Sequence, residues 1–330
     1  MVMCHLQRRR GCETFMVTRT LPAPIPFLRR SLPPQSGVFV AVVVSLSLIA
    51  FVWHQQLPTL AYYWVRMQQA HSGAPGLGLS DYAVAIDARE IEGIPANVSG
   101  LTYSSATGTL FAVINDPAQV AELSTDGRLL RIIPLRGIRD PEGITHVAGD
   151  HFLIAAERDR QLILARINAE RTELDLGVAP RLGLGIGLNG NKGFEGLAWD
   201  PEGQRLFVVQ EKSPVRVLEI TGLLAAMHGA GLDLQVREWK PGRFEEPYLR
   251  DLSSVSYDVA SGHLLLLSDE SRMAVEYNRD RDPVGVLPLR QGWHGLAHAV
   301  PQAEGVALGP DRALYVVSEP NLFYRYEPRR

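Results

Sequence analysis

The chain has 330 residues, with 33 lysines and arginines against 36 acids and a net charge of −3. This balance excludes a generally basic nucleic-acid binder. Hydrophobic residues at 46% and charged residues at 21% exclude a chain that is disordered as a whole. Both cysteines, Cys4 and Cys12, precede the globular part, so that part has no disulfide framework, thiolate metal site or thiol nucleophile.

The N-terminus joins a basic segment to an apolar one. Residues 1–36 carry six arginines and one acid, which leaves a net charge of −8 for the rest of the chain. Residues 37–53, GVFVAVVVSLSLIAFVW, have no charge and reach the short end of the length of a membrane-spanning helix. Four aromatic residues follow as an interfacial belt would: Trp53, Tyr62, Tyr63 and Trp64.

Charge predicts the orientation of this anchor. Because basic flanks stay in the cytoplasm, we expect a cytoplasmic segment at 1–36, a transmembrane anchor at 37–53, a stalk and linker at 54–80, and an exported domain at 81–330. A cleaved signal peptide is the rival interpretation, and the long basic lead and the lack of a small-x-small site argue against it.

Beyond residue 80 the sequence repeats itself five times. Each copy is a short strand, a turn rich in Gly, Asp and Pro, and an apolar strand that ends in an acid. The copies start 43, 53, 58 and 51 residues apart and cover residues 99–116, 142–157, 195–211, 253–270 and 304–319. A period of this size built from hairpins is typical of a β-propeller.

We therefore predict an all-β domain, a propeller of five or six blades after one N-terminal transmembrane helix. Each copy supplies the two inner strands of a blade, which are apolar because both of their faces are buried. Residues 82–96 lack the motif and are expected to supply an outer strand that closes the ring with the last blade. One short helix is expected after the linker, at residues 220–228.

The hairpins also place acidic residues. Folding each copy at its turn brings its first and last acids to the same edge of a blade, and blades converge on a central channel. The acids expected to ring one mouth of this channel are Glu142, Glu157, Glu195, Glu211, Asp269, Glu304 and Glu319, with Asp116 and Glu270 as further candidates.

Two arrangements would relieve the repulsion within such a ring. A divalent cation could bind several of the oxygens, and calcium, which accepts six to eight of them, suits a carboxylate-rich ring that lacks repeated histidines better than zinc does. Alternatively, the bases that follow the acids, Arg158, Lys212 and Arg272, pair with them at a solvated edge. The sequence leaves both arrangements open.

The motifs resemble those of a known family. Residues 141–144 (PEGI), 155–159 (AAERD), 194–199 (FEGLAW), 268–272 (SDESR) and 316–326 (VVSEPNLFYRY) are similar to the SdiA-regulated family, also called the YjiK/CarP family, over residues 83–328. The resemblance implies a bacterial β-propeller held by a single-pass anchor in the inner membrane and facing the periplasm. It also implies calcium binding in the channel and a role in calcium-responsive homeostasis.

Other motifs carry weaker signals. Residues 185–190 fit GxGxxG, but a strand motif follows where a dinucleotide site needs a helix. His294 and His298 precede the last acidic motif and are candidates for a general base or a metal ligand. No serine lies in a GxSxG elbow, so a hydrolase triad of that class has no support.

Two classes of function follow from these residues. The first is a calcium-binding or sensing module without catalysis. The second is a metal-assisted hydrolase of a phosphate ester or a lactone, in which a carboxylate activates water and Arg158, Lys212 and Arg272 hold an anionic substrate. A scaffold that binds a protein partner on a propeller face is a third alternative, and no nucleic-acid partner is expected.

Overall fold

The computed structural model describes residues 34–70, 75–185, 193–212, 214–229, 233–241 and 248–329. The basic segment with its two cysteines, and most of the GxGxxG loop, lie outside the described residues. The chain divides into two compact units, Met1–Phe51 and Val52–Arg330.

The described part of the N-terminal unit lies in helix α1 (Pro34–His54), whose last residues belong to the second unit. Its window Gly37–His54 is long and apolar enough to cross a membrane, and none of it is buried within the protein. Val, Ile and Leu are tolerated in a helix of this kind because lipid offers the backbone no other hydrogen-bond partner. The helix therefore has the length and composition of a single membrane span.

The second unit is a five-bladed β-propeller, which confirms the predicted fold and fixes the number of blades. The innermost strand of each blade is β2 (Val98–Ser104), β6 (Pro141–Ala148), β11 (Phe194–Asp200), β15 (Ser254–Asp258) and β19 (Ala303–Leu308). The second strands are β3 (Thr109–Ile114), β7 (His151–Ala156), β12 (Arg205–Gln210), β16 (His263–Ser268) and β20 (Leu314–Ser318).

Every innermost strand and the strand after it come from one sequence repeat. The third strands are β4 (Gln119–Leu123), β8 (Gln161–Arg166), β13 (Arg216–Thr221), β17 (Met273–Tyr277) and β21 (Leu322–Pro328). The outer strands are β1 (Tyr82–Glu90), β5 (Leu129–Arg136), β10 (Arg181–Gly183), β14 (Gln235–Trp239) and β18 (Pro283–Pro288), and β9 (Leu174–Asp175) pairs in parallel with β5.

The ring closes through its N-terminal strand. β1 is the outer strand of the last blade and runs antiparallel to β21, with Tyr82 opposite Pro328 and Glu90 opposite Leu322. The prediction that residues 82–96 contribute this strand is confirmed. Closure joins the two ends of the repeat array, so the last blade is held by backbone hydrogen bonds rather than by packing alone.

The second strands form the centre of the core. Every residue of β16 is buried, and in β7 and β12 only the first residue is partly exposed. Side chains of neighbouring blades interleave, as Phe111 of the first blade and Phe152 of the second do at a ring separation of 4.7 Å. Burial on both faces explains why these strands are apolar throughout instead of alternating.

Glycine after the first acid allows the innermost strands to approach one another. A Cβ on Gly143 would lie 2.9 Å from the carbonyl oxygen of Glu195 in the next blade, and one on Gly196 would lie 2.7 Å from the Cα of Ser254. Neither distance leaves room for a side chain. The Glu-Gly dipeptides of the repeats are therefore a packing requirement of the closed ring.

Within the described residues, two α-helices and a short 3-10 helix (Leu79–Asp81) accompany the propeller. α2 (Leu57–Gln69) packs on the fourth blade, where Tyr63 is 1% exposed and its hydroxyl lies 2.8 Å from that of Tyr277. α3 (Leu223–Met227) follows β13. It is shorter than the helix predicted at 220–228 because the first two of those residues complete β13.

Candidate metal centre at one mouth of the channel

An acidic cavity of about 380 Å³ opens where the innermost strands begin and the second strands end. We call it the acidic mouth. The acids that line it are Glu142, Glu157, Glu195, Glu211, Asp251, Asp269, Glu270, Glu304 and Glu319, and the other lining residues are Asn115, Lys212, Ser253 and Gln302. Lys212 is the one cationic side chain among these lining residues. The structure therefore brings together all seven acids of the predicted ring, with Glu270.

A β-bulge positions the first acid in three of the blades. The strand register shifts between Pro141 and Gly143, which is where Glu142 lies, and the same shift surrounds Glu195 and Glu304. A bulge inserts one unpaired residue and re-aims its side chain. In the first blade, which has Ser99 at this position, the register also shifts, between Val98 and Leu101, whereas Ser253 of the fourth blade precedes the paired residues of β15.

Two carboxylates of the acidic mouth and one that lies beside it are close enough to share one cation. Asp140, Glu142 and Glu157 each offer an oxygen, and these oxygens lie within 4.8 Å of one another. Calcium binds oxygens at about 2.3–2.6 Å, so two of its ligands are separated by up to about 5 Å. The cluster could hold a metal ion of that size. Asp140 was not predicted from the sequence, although it lies two residues before the second repeat.

Hydrogen bonds fix two members of this cluster. Glu142 accepts from Ser99 Oγ at 2.7 Å and from Asn115 Nδ2 at 3.0 Å, so a serine and an amide of the first blade orient an acid of the second. The backbone N–H of Gly193 donates to Glu157 at 3.0 Å. The serine that replaces the first acid in the first blade therefore has a role as a donor to its neighbour.

Burial and mutual repulsion make these acids hard to ionise. Burial, with Asp140 and Glu157 nearby, raises the pKa of Glu142 to about 7 despite its two hydrogen bonds. Burial, with the charges of Asp269, Glu142 and Glu319, raises the pKa of Glu304 to about 8. At neutral pH the acidic mouth thus retains protons that free glutamates would lose.

Glu195 lies at the centre of the repulsion. Burial raises its pKa well above the usual value, and so do the charges of four other acids, Glu142, Glu157, Glu211 and Glu304. These four acids belong to the second, third and fifth blades, and the repulsion between charges grows as they approach. Glu195 therefore interacts electrostatically with acids of all three blades.

The predicted bases neutralise part of the ring. Lys212 Nζ contacts Glu211 at 2.8 Å and Glu270 at 2.6 Å, and these contacts raise its pKa. Arg158 pairs with Asp140 at 2.6 Å instead of with a repeat glutamate. Arg272 makes no ion pair within the described part of the chain, although its charge partly offsets the rise that burial causes in the pKa of Asp269. Pairing with bases therefore leaves most of the acids without a countercharge.

A second group of acids lies on the fourth blade. Asp251 is 3% exposed and accepts from Ser268 Oγ and from the backbone N–H of Glu270. Asp269 accepts from the N–H of Ala303 at 3.1 Å, and burial raises the pKa of both aspartates. Asp251 was not predicted from the sequence, because it precedes the fourth repeat by two residues and belongs to no strand.

The remaining candidates lie elsewhere. Asp116 is exposed and does not line the acidic mouth. His294 lies on the rim of the propeller, with its Nδ1 2.8 Å from the carbonyl oxygen of Tyr82, and His298 is exposed in the same loop. The structure thus brings neither histidine to the carboxylates.

Some buried side-chain oxygens near the acidic mouth have no hydrogen-bond partner and could bind a metal ion. Among the described residues, Ser253 Oγ and Gln210 Oε1 are buried without a hydrogen-bond partner. Ser253 lines the cavity and Gln210 directly precedes Glu211. Carboxylate, hydroxyl and amide oxygens are the donors that a hard divalent cation prefers, so the side chains present fit calcium or magnesium better than a softer metal.

Similar folds occur among solved structures at low sequence identity. A streptogramin B lyase matches 75% of this chain and 98% of its own at 9% identity, with a TM-score of 0.45. A luciferin-regenerating enzyme matches 74% of this chain and 94% of its own at 12% identity and a TM-score of 0.45. A chain of a nidogen/laminin complex matches 68% of this chain and 73% of its own at 15% identity and a TM-score of 0.43.

The family is shown by a direct sequence match. The profile of the SdiA-regulated family matches residues 75–327, which run from the segment before β1 to the next-to-last residue of β21. The match agrees with the five repeats, the Glu-Gly dipeptides and the closing motif at 316–326. The chain belongs to the SdiA-regulated family.

Proposed function

We propose that this protein is a single-pass inner-membrane protein whose periplasmic β-propeller binds calcium at the acidic mouth. It acts as a calcium-responsive sensing or homeostasis module rather than as an enzyme. The observation that carries the proposal is the excess of carboxylates over cations in one cavity: nine lining acids face one lining lysine.

The energetics of the cavity support a bound cation. Clustered carboxylates removed from water repel one another and shift toward the protonated form, as the raised pKa values of Glu142 and Glu304 indicate. A divalent cation supplies the missing countercharge and releases those protons, which couples binding to pH. Calcium accepts this many oxygens at flexible geometry, whereas zinc favours four ligands rich in nitrogen or sulfur.

The location follows from the N-terminus. Arginines precede the apolar helix α1 and the propeller follows it, so the orientation rule for basic flanks directs the propeller out of the cytoplasm. Calcium modules outside the cytoplasm commonly bind with dissociation constants of about 10⁻⁴–10⁻³ M. A site in that range would respond to changes of calcium in the periplasm.

Calorimetric titration tests the proposal. The full chain, stripped of metal in detergent micelles, is titrated with calcium chloride beside the variant Glu157→Gln. Glutamine keeps an oxygen for the N–H of Gly193 and removes one ligand charge from the three-carboxylate cluster. We expect the affinity to fall about tenfold or more, because the number of ligand charges tunes calcium affinity.

The matched control is Asp258→Asn. Asp258 is the one acid that lines the cavity at the opposite end of the channel. This variant should bind calcium as the wild type does. Absence of any binding heat and of any calcium-dependent change in melting temperature in the wild type would refute the calcium site.

A further inference from the structure

An apolar groove lies on the outer rim of the propeller, between α2 and the last two blades. Its volume is about 630 Å³. It is lined by Leu57, Leu60, Ala61, Trp64, Met67 and Trp293, together with Val286, Pro288 and a few polar groups. Trp64 is 61% exposed and Trp293 is 45% exposed, which is unusual for the largest apolar side chain in a soluble domain. Contiguous exposed apolar surface of this kind marks a site of interaction.

The helix that forms this groove is held firmly on the propeller. Tyr63 is buried against Tyr277, and Leu60 and Met67 pack on the hydrophobic core shared by the third and fourth blades. Arg66 lies 3.8 Å from Asp282. Of the four aromatic residues predicted to form an interfacial belt, Tyr63 is therefore part of the core, whereas Trp53 and Trp64 remain about 60% and 61% exposed. The outward face of α2 is a fixed surface.

Chain connectivity limits how far this surface can lie from the apolar helix. α1 ends at His54 and α2 begins at Leu57, so two residues separate them. Three Cα steps of at most about 3.8 Å place Leu57 within about 11 Å of the end of α1. The headgroup region on each side of a bilayer is about 5–8 Å thick. If α1 spans the membrane, the groove begins at or near the headgroups.

The composition of the groove fits that position. None of the described residues that line it is acidic, and Arg329 and His294 are among them. Tryptophan concentrates where acyl chains meet headgroups, since the ring is apolar and its N–H remains hydrated. Arginine beside the groove is attracted to anionic phosphate.

We propose that this groove docks on the outer leaflet of the bilayer, with Trp64 and Trp293 at the boundary between acyl chains and headgroups. The inference rests on the proposed membrane anchor. None of the residues that line the groove lines either channel cavity. Docking through the rim thus leaves the acidic mouth open to the solution that it samples.

Fluorescence quenching by lipid tests the docking. The full chain is placed in phosphatidylcholine nanodiscs whose acyl chains carry bromine close to the headgroups. Three variants are compared with the wild type: Trp53→Phe, Trp64→Phe and Trp293→Phe. The other tryptophans, Trp199 and Trp239, are 7% and 6% exposed and serve as the unquenched background. We expect each of the three variants to lower the amount of emission that bromine quenches.

The outcomes separate the docking from the anchor. If only Trp53→Phe lowers the quenched emission, α1 spans the bilayer while the groove stays in water, and the docking is refuted. If none of the three variants lowers it, the anchor itself fails and the docking fails with it. The calcium titration is independent of both results.

Discussion

The two ends of the channel are built by the same five hairpins and differ in chemistry. The acidic mouth collects nine carboxylates around about 380 Å³. The opposite mouth, of about 720 Å³, is lined by one acid and by aromatic and aliphatic side chains at the far ends of the innermost strands, among them Tyr103, Trp199, Tyr257 and Leu308. Its acid, Asp258, accepts from Ser261 Oγ at 2.7 Å and from the N–H of Ala260 at 3.2 Å.

This difference shows that charge alone does not make a site. Asp258 is satisfied within its own turn, whereas the acids of the acidic mouth shift one another's pKa across blade boundaries. Two local features produce that convergence. The bulges at Glu142, Glu195 and Glu304 re-aim the side chains, and the glycines that follow bring neighbouring strands into backbone contact.

The largest expected effect is a loss of stability with rising pH in the metal-free protein. The pKa of Glu142, about 7, and that of Glu304, about 8, both exceed the ordinary value of 4.5. Between pH 4.5 and pH 8 the folded state therefore keeps protons that the unfolded chain loses. The free energy of unfolding should fall across this window, by a kcal/mol or more for each group, and level off above it.

Thermal melting of chelator-treated protein between pH 5 and pH 8 measures this effect. Calcium should abolish most of the slope, because it replaces the protons. Glu304→Gln should reduce the slope, while Asp258→Asn at the opposite mouth should leave it as it is. A metal-free stability that stays level or rises from pH 5 to pH 8 would show that the acids are not clustered as described.

The second prediction concerns the close approach of the strands at the acidic mouth. Gly196→Ala places a Cβ 2.7 Å from the Cα of Ser254, so a backbone must move. We expect a loss of about 1–3 kcal/mol in the free energy of unfolding. Urea denaturation measures it.

Gly183→Ala is the matched control. Gly183 is an outer-strand glycine with nothing within 4 Å of an added Cβ. It should unfold like the wild type or slightly later, since alanine restricts the unfolded chain. Equal stability of the two alanine variants would show that close packing of the strands does not require the glycine of the Glu-Gly dipeptides.

The smallest predicted effect tests whether Lys212 competes with calcium for the carboxylates. Lys212→Met removes the one cation among the described residues that line the acidic mouth, and with it one ion-pair partner each of Glu211 and Glu270; Glu270 keeps Arg250 at 3.4 Å. The metal-free protein should lose about 0.2–1 kcal/mol, the usual contribution of partly exposed ion pairs. Calcium should bind up to several-fold more tightly, because it no longer competes with the lysine.

Calcium titrations of Lys212→Met and of the control variant Lys240→Met measure this change in affinity. Lys240 lies on the third blade, 3.9 Å from Glu238 and away from the channel, so its loss should leave calcium affinity unchanged. A weaker calcium affinity in Lys212→Met than in Lys240→Met would mean that the lysine organises the site instead of competing for it.

Much of this arrangement could be predicted from sequence because the repeat fixes which residue begins and ends each hairpin. The five inner strand pairs, the closing strand at 82–96 and the seven ring acids all follow from that period. The bulges could not be predicted, since nothing local distinguishes a bulged glutamate from a paired one. Asp140 and Asp251 each lie two residues before a repeat, at a position where the other three repeats have no acid.

The ion-pair partners of the bases could not be predicted from the sequence either. Arg158 follows Glu157 but pairs with Asp140, and Lys212 joins acids of two blades. The contact of Lys212 with Glu270 depends on the distance between two blades, and that of Arg158 depends on Asp140, which lies outside the repeat. Sequence spacing therefore identified the charged groups and left their pairing open.

The most direct test of the central claim is the anomalous scattering of calcium in crystals of the protein grown with calcium chloride. We expect a peak in the acidic mouth, at about 2.3–2.6 Å from carboxylate oxygens of Glu142 and Glu157. Glu157→Gln crystals should show a weaker peak or none at the same calcium concentration. A peak confined to the opposite mouth, or an acidic mouth without a peak at saturating calcium, would contradict calcium binding at the acidic mouth.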